Sequence, residues 1–251
     1  MGKVRKITTA LILSTALVAT GCAANKPAQA PAATAVAPEK AAEFKVYQGL
    51  GQAPMFRVGP GKDEKGGQVY SINYVMADAL FDGEGKVISI TFDGLEIFSP
   101  NDKEHVEGGA GVFSGFPGQA GYLDAASNTD ETATKEVSKW ATKRDRGDAA
   151  YGMNWSEQFA TYQEFMKGKT VAEIKDWFAK NTSDINGRPL KADAKDPKDQ
   201  EKYAKLTDAE KKGLADVTSG ATISLKDAHG DFIAALEKAY ENRVEITLTV
   251  K

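Results

Sequence analysis

Four hydroxyl side chains, Thr218, Ser219, Thr222 and Ser224, fall within seven residues of the stretch Asp216-Val217-Thr218-Ser219-Gly220-Ala221-Thr222-Ile223-Ser224. The stretch runs into an apolar segment in which Leu225, Ala228, Phe232, Ala235 or Leu236, and Ala239 keep helical spacing to about Glu241. The spacing predicts a helix with the hydroxyls at its entrance. Two chemistries are open there. A Ser or Thr before a helix caps it by accepting a backbone N–H, and Ser224 with Asp227 has the spacing of a capping box. Alternatively, a helix N-terminus favours phosphate, so a hydroxyl beside it can hold a phosphate ester whose oxygens accept the unpaired N–H groups. Gly220 and Ala221 leave room for a large group next to Thr222.

The residues Asp216-Val217-Thr218-Ser219-Gly220-Ala221-Thr222 resemble the D-x-x-S/T-G-A-T/S motif of the FMN-binding domain family. The resemblance implies a single FMN, joined by a dedicated flavin transferase from FAD to Thr222 through a phosphoester. Asp216, Thr218, Ser219, Gly220, Ala221 and Ser224 would then be local support for the cofactor. The segment ISLKDAHGDFIAALEKA after the motif looks like the family's helix, and a looser similarity spans roughly residues 44–251. The chain departs from the family's ion-pumping subunits in lacking a Glu-Thr-Pro-Gly loop, so their ring contacts are not implied. Candidates beside the flavin ring come instead from the glycine-rich segment 108–121 and its surroundings, Phe113, Phe116 and Tyr122, together with His229.

The first 21 residues read as an export signal. Lys3, Arg5 and Lys6 precede an uncharged, largely apolar run, Ile7 to Ala19, too short to span a bilayer. It ends in Ala19-Thr20-Gly21-Cys22, which resembles a lipobox, with the chain's sole cysteine at the acylation position. Residues 22–43, rich in Ala and Pro, read as a tether. The folded domain is expected over 44–251, held at the extracytoplasmic face of the cell membrane. The formal charge is −3, or −6 once the three cations of the leader are set aside, and no basic stripe marks a nucleic-acid partner.

Gln68–Phe81 is rich in β-branched and aromatic residues, and after the turn Asp82-Gly83-Glu84-Gly85-Lys86 the run Val87–Phe98 resumes with Ile88, Ile90 and Phe92 alternating against Ser89 and Thr91, which predicts a hairpin. The preceding segment 49–67, with six glycines and two prolines, reads as loop. Trp155, Phe159, Tyr162 and Met166 share one helical face, assigned to the core, behind a capping-box-like Asn154 and Glu157; Gly168 closes this helix. Thr170 with Glu173 starts another, presenting Val171, Ile174 and Phe178. Residues 181–215 are polar and lysine-rich, with a short helix capped by Thr207 and Glu210. Val244, Ile246, Leu248 and Val250 alternate with polar residues, predicting a strand with one buried face. The order of elements indicates an α+β fold with a mainly antiparallel sheet and packed helices.

Other chemistries find little footing. His105 and His229 are the only histidines and have no metal-ligand spacing; with Cys22 at the lipid site, no metal centre is expected. Asp93, Glu96, Asp102 and Glu104 read as a solvated strand exit rather than a carboxylate pair. The sequence thus leads to an extracytoplasmic flavoprotein electron carrier, reduced by a membrane quinol-linked oxidoreductase and discharging to periplasmic or extracellular acceptors. The alternatives are a non-redox, small-ligand-binding lipoprotein and a flavin-bearing reductase with its own substrate.

Overall fold

The computed structural model describes residues 42–63, 66–99, 111–113, 115, 129–150 and 154–250. The leader, Cys22, His105, Phe116, Tyr122, Asp102, Glu104 and most of the glycine-rich segment lie outside these residues. No described helix is long and apolar enough to cross a membrane.

A five-stranded sheet has the order β4-β3-β2-β1-β7. The strands are β1 (Ala42–Lys62), β2 (Gln68–Phe81), β3 (Val87–Phe98), β4 (Gly111–Val112) and β7 (Val244–Val250). Every pairing is antiparallel except the short parallel contact of β4 with β3. The helices are α1 (Asp130–Val137), α2 (Lys143–Arg146), α3 (Trp155–Met166), α4 (Val171–Asn181), α5 (Pro197–Ala204), α6 (Asp208–Thr218) and α7 (Phe232–Glu241). A small hairpin of β5 (Lys226–Asp227) and β6 (Gly230–Asp231) precedes α7. The fold is α+β with a mainly antiparallel sheet.

The hairpin expected from alternation is β2–β3, in register from Ser71 opposite Phe98 to Leu80 opposite Ser89. Its inward residues, Val75, Ala77, Ala79, Phe81, Ile90 and Phe92, form one core with the aromatic stripe of α3, the apolar face of α4, and α7. Phe92, Phe159 and Phe232 meet edge to face, with centroids 4.8 to 5.8 Å apart, the arrangement that ring quadrupoles favour. Thr170 and Glu173 make the expected capping box, as do Thr207 and Glu210. Leu190, Leu206 and Leu214 give the polar excursion a small core of its own.

Four expectations are corrected. Residues 49–62 are strand, not loop. Gly49 and Gly51 face α7 so closely that an added Cβ would lie 1.8 Å from the Ala239 carbonyl oxygen and 2.0 Å from that of Ala235. The glycines therefore permit helix–sheet contact rather than a turn. Pro54, which has no N–H to donate, sits beyond the reach of β7, where the second edge of β1 is unpaired among the described residues. The last helix starts at Phe232, not near Leu225. Gly230, at φ 147°, turns the chain, and the Asp231 carboxylate caps α7 by accepting from Ala234 N at 2.8 Å. Asn154 is left-handed, φ 47°, and makes no side-chain cap; its amide donates to Glu157 instead. Finally, β7 is an edge strand without a deeply buried face: Val244 is 63% and Leu248 45% exposed, because β7 pairs only with residues 42–48 of β1.

Candidate functional site

The motif straddles the C-terminus of α6. Asp216, Val217 and Thr218 are its last residues and Ser219 is its C-cap. Val217 is buried and Asp216 exposed. The Thr218 hydroxyl donates to the Ala215 carbonyl at 3.2 Å, and Ser219 Oγ to the Asp216 carbonyl at 2.7 Å. These two hydroxyls satisfy carbonyls at a helix end, where the dipole is negative. The helix N-terminus expected to cradle a phosphate is thus absent at Thr222, which is corrected accordingly. Gly220 follows without a positive φ, close against the Thr161 side chain. Ser224 makes no capping box; its Oγ accepts from Lys226 N at 3.0 Å.

From Ala221 onward the chain is fixed by α3. Ala221 is buried in the core. Gln158 Oε1 accepts from Thr222 N at 2.8 Å and Ile223 N at 3.1 Å, and lies 3.3 Å from Thr222 Oγ1, which donates to it. The Tyr162 phenol, which burial pushes up from its ordinary pKa, donates to the Ile223 carbonyl at 2.8 Å. Thr222 itself is exposed. The result is an exposed threonine on a backbone held by Gln158 and Tyr162 of α3 and by the buried Ala221. Tyr162→Phe should cost about 1 kcal/mol by leaving that carbonyl unpaired, read by denaturant unfolding.

His229 is not on a helix. It sits in the β5–β6 turn, with its N–H on Asp227 Oδ1 at 2.7 Å and its ring Nδ1 3.2 Å from the same oxygen. Burial raises the Asp227 carboxyl, but the hydrogen bonds from His229, with the charges of His229 and Lys143, outweigh it and hold the group below its ordinary pKa. Phe113 packs edge to face on Trp140, centroids 5.8 Å apart, next to β4. The structure thus places Phe113 beside β4 and the motif at the end of α6.

A second cluster was missed in the sequence. Arg57, Ser71, Asn73 and Glu96 lie on the inward face of β1, β2 and β3. Ser71 pairs across with Arg57, and Asn73 with Glu96. Arg57 Nη1 reaches Glu96 Oε1 at 3.3 Å, and Ser71 Oγ donates to the same oxygen at 3.1 Å. Hydrogen-bonding chemistry turns the Asn73 amide nitrogen toward Glu96 Oε1, 3.1 Å, and the His229 carbonyl, 3.2 Å. Glu96 is therefore a buried partner, not a solvated strand exit. Lys143 of α2 lays its stem over Gly94 of β3, Cδ 3.7 Å from the position of an added Cβ, and is only 7% exposed. Desolvation pushes its ammonium below the usual lysine range; Glu96 and Asp227 oppose the shift, and Arg146 and Arg57 add to it. The signal that could have found this cluster is parity: Ser71, Asn73 and Glu96 share the phase of the buried Val75 and Phe92.

The sign of the Lys143 shift has a consequence. A lysine whose folded pKa is depressed disfavours the folded state while it is charged; that cost is full below the folded pKa and is relieved as pH rises through it. Lys143→Met should therefore stabilise the unliganded fold at neutral pH by about 1–3 kcal/mol, and the gain should shrink in alkaline buffer, as followed by urea unfolding across pH.

A cavity of about 740 Å³ opens between α4, the following loop and the β5–β6 hairpin, with Met55, Phe178, Ile185 and Ile233 as apolar walls and Lys175, Lys226 and Asp227 among its polar lining. Its loop adjoins the motif, since a Cβ on Gly187 would lie 2.3 Å from Ser224 Oγ. Among the described residues, no group of three or more His, Cys, Asp or Glu is placed to hold a metal ion.

Comparison with known proteins returns no matching family model and no matching solved structure. The chain is similar to a chlorophenol reductase of Desulfitobacterium hafniense, 40% identical over 223 residues, covering 84% of this chain and 62% of that protein. The chain thus spans about 62% of the length of the curated relative it matches. That similarity, running through most of the chain, corrects the expectation of an electron carrier serving periplasmic or extracellular acceptors, and equally that of a non-redox ligand-binding lipoprotein. The relative is a reductase with a substrate of its own.

Proposed function

We propose that this chain is a reductase, or the matching portion of one, that acts on a chlorinated phenol. The observation that carries this reading is the 40% identity to a chlorophenol reductase across 84% of the chain. The cavity agrees in its lining: its volume of about 740 Å³ admits an aromatic ring with space to spare, with apolar walls for the ring and lysines for a phenol oxygen. Replacing an aryl C–Cl bond by C–H consumes two electrons and one proton and releases chloride.

FMN is the redox group proposed here, and Thr222 is the residue that would hold it. Two features fit an attachment point: Thr222 is exposed, and the hydrogen bond its hydroxyl makes among the described residues, to Gln158, is long at 3.3 Å. Esterification would leave Gln158 its two stronger backbone donors, Thr222 N and Ile223 N. A helix-dipole cradle for the phosphate does not fit, because α6 ends there. When bound, FMN would supply electrons to the substrate. Gln158 and Tyr162 fix the backbone from which it extends. A FAD-dependent flavin transferase for attachment, a membrane quinol-linked oxidoreductase as electron source, and a lipid anchor on Cys22 complete the proposal.

The test uses the full chain, exported together with a flavin transferase and reduced anaerobically by excess reduced viologen. Pentachlorophenol should then be converted with release of chloride in step with viologen oxidation. Chloride no higher than in a protein-free control, from protein that carries its flavin, would overturn the reading.

A further inference from the structure

We infer that Asp227 is the hydroxyl-binding residue of the cavity: its carboxylate accepts the O–H of an aromatic alcohol, which the site therefore holds un-ionised. The aromatic class rests on the reductase reading above; the preference for a hydroxyl donor rests on the cavity itself. Five charged side chains line it, Lys175, Asp176, Asp184, Lys226 and Asp227. Both lysines are already paired, Lys175 with Glu237 of α7 and Lys226 with Asp231 at 3.0 Å. Asp184 is paired with Lys202 at 2.6 Å, and Asp176 is exposed on α4. Asp227 differs from the rest. Its side chain is only 30% exposed, and His229 engages a single oxygen, Oδ1, through both its backbone N–H and its ring. Among the described residues no donor reaches Oδ2. A part-buried carboxylate oxygen without a donor is an acceptor that a ligand hydroxyl can satisfy.

Charge sets the protonation state of that ligand. The lining carries three carboxylates and two ammoniums, and both ammoniums are paired with further carboxylates. Lys143 of α2 also acts on Asp227 and helps to keep it ionised. An ionised oxygen beside Asp227 would meet a like charge, whereas a hydroxyl gains a charge-assisted hydrogen bond. Lys226 can still donate to the lone pairs of the same oxygen, since an ammonium has three protons and Asp231 takes one. The wall that carries these two residues is fixed. Gly187 has φ 68°, and a Cβ there would lie 2.0 Å from the Lys226 carbonyl oxygen, so the loop bearing Ile185 rests directly on β5. A ring among Met55, Phe178, Ile185 and Ile233 would present its hydroxyl to a carboxylate oriented by His229.

The experiment titrates the full chain with para-nitrophenol, whose absorption separates phenol from phenolate, and with its methyl ether, para-nitroanisole, which has no O–H to donate. The wild type should bind the phenol about ten- to hundredfold more tightly than the ether, the size expected for one hydrogen bond to a charged group. The bound probe should keep the phenol spectrum at a pH where the free probe is half ionised, and affinity should fall as pH rises through the ionisation of the probe. Asp227→Ala should bind the two probes alike, with affinity for the ether within about twofold of wild type, as for a contact the ether does not make. Asp227→Asn keeps an oxygen for the His229 N–H but not the charge, so its affinity for the phenol should no longer fall as the probe ionises. Wild-type protein that binds neither probe, binds both equally, or holds para-nitrophenol as phenolate would overturn the site, as would a hydroxyl preference that survives in folded Asp227→Ala. A preference that follows Asp227 in a protein unable to release chloride would leave the site standing and remove the reductase reading; chloride release with probe binding indifferent to Asp227 would do the reverse.

Discussion

Gly51→Ala should destabilise the protein by about 3 kcal/mol, lowering its melting temperature by about 6–12 °C. The new Cβ would stand 2.0 Å from the Ala235 carbonyl oxygen and 2.2 Å from Ala239 N. Both are helix backbone atoms, so no side chain can swing aside, and α7 must lift from the sheet. That movement would loosen Phe232, Leu236 and Ala239 from the core they share with Phe92 and Phe159. Gly213 provides the control. It lies inside α6 with nothing within 4 Å of an added Cβ, so Gly213→Ala should stabilise by about 0.5–1 kcal/mol through helix propensity alone. Thermal unfolding of the two variants side by side decides the matter: a Gly51→Ala protein as stable as the wild type would mean that α7 does not rest on these glycines.

Thr222→Ala should remove covalent flavin and chlorophenol turnover completely while leaving the fold within about 0.5 kcal/mol of wild type, as for an exposed side chain away from the core. The stability part follows from geometry. Thr222 N keeps its bond to Gln158, Ala221 stays buried, and only the 3.3 Å hydroxyl contact is lost. The flavin part follows from the proposed ester. Intact-protein mass should fall by FMN less one water, the yellow colour should vanish, and Thr222→Ser should restore both. A coloured Thr222→Ala protein whose mass falls only by the difference between the two side chains would place the flavin elsewhere.

The hairpin β2–β3 and the core faces of α3 and α4 were legible because their signals are local: alternation around a turn, and four aromatic or apolar residues at helical spacing. The α+β class followed from the order of those elements. Gly49 and Gly51 were misread because glycine punctuates loops by default; only the approach of α7, some 190 positions later, gives them a different purpose. The start of α7 was misplaced for a related reason. Leu225 and Ala228 keep the helical period, yet Gly230 turns the chain before the helix begins. That shift withdrew the dipole argument from Thr222, while its exposure and the small residues before it remained. Glu96 was read as solvated because its partners, Arg57, Ser71 and Asn73, come from two other strands, and strand register is not visible in composition. Lys143 carried no sequence mark at all; it is buried where α2 packs on β3.

The first strand of the sheet is completed by the last. Phe44 pairs with Leu248, and the Asn242 amide reaches the Leu50 carbonyl across 192 positions at 3.2 Å. Closing so long a loop carries an entropic cost that must be met before its contacts form, and such topologies acquire their native state slowly. On a ribosome or a translocation channel, β1 therefore waits with its glycine platform bare until α7 and β7 have emerged, so a holdase that shields this strand should raise the yield of native protein more than any catalyst acting on later steps.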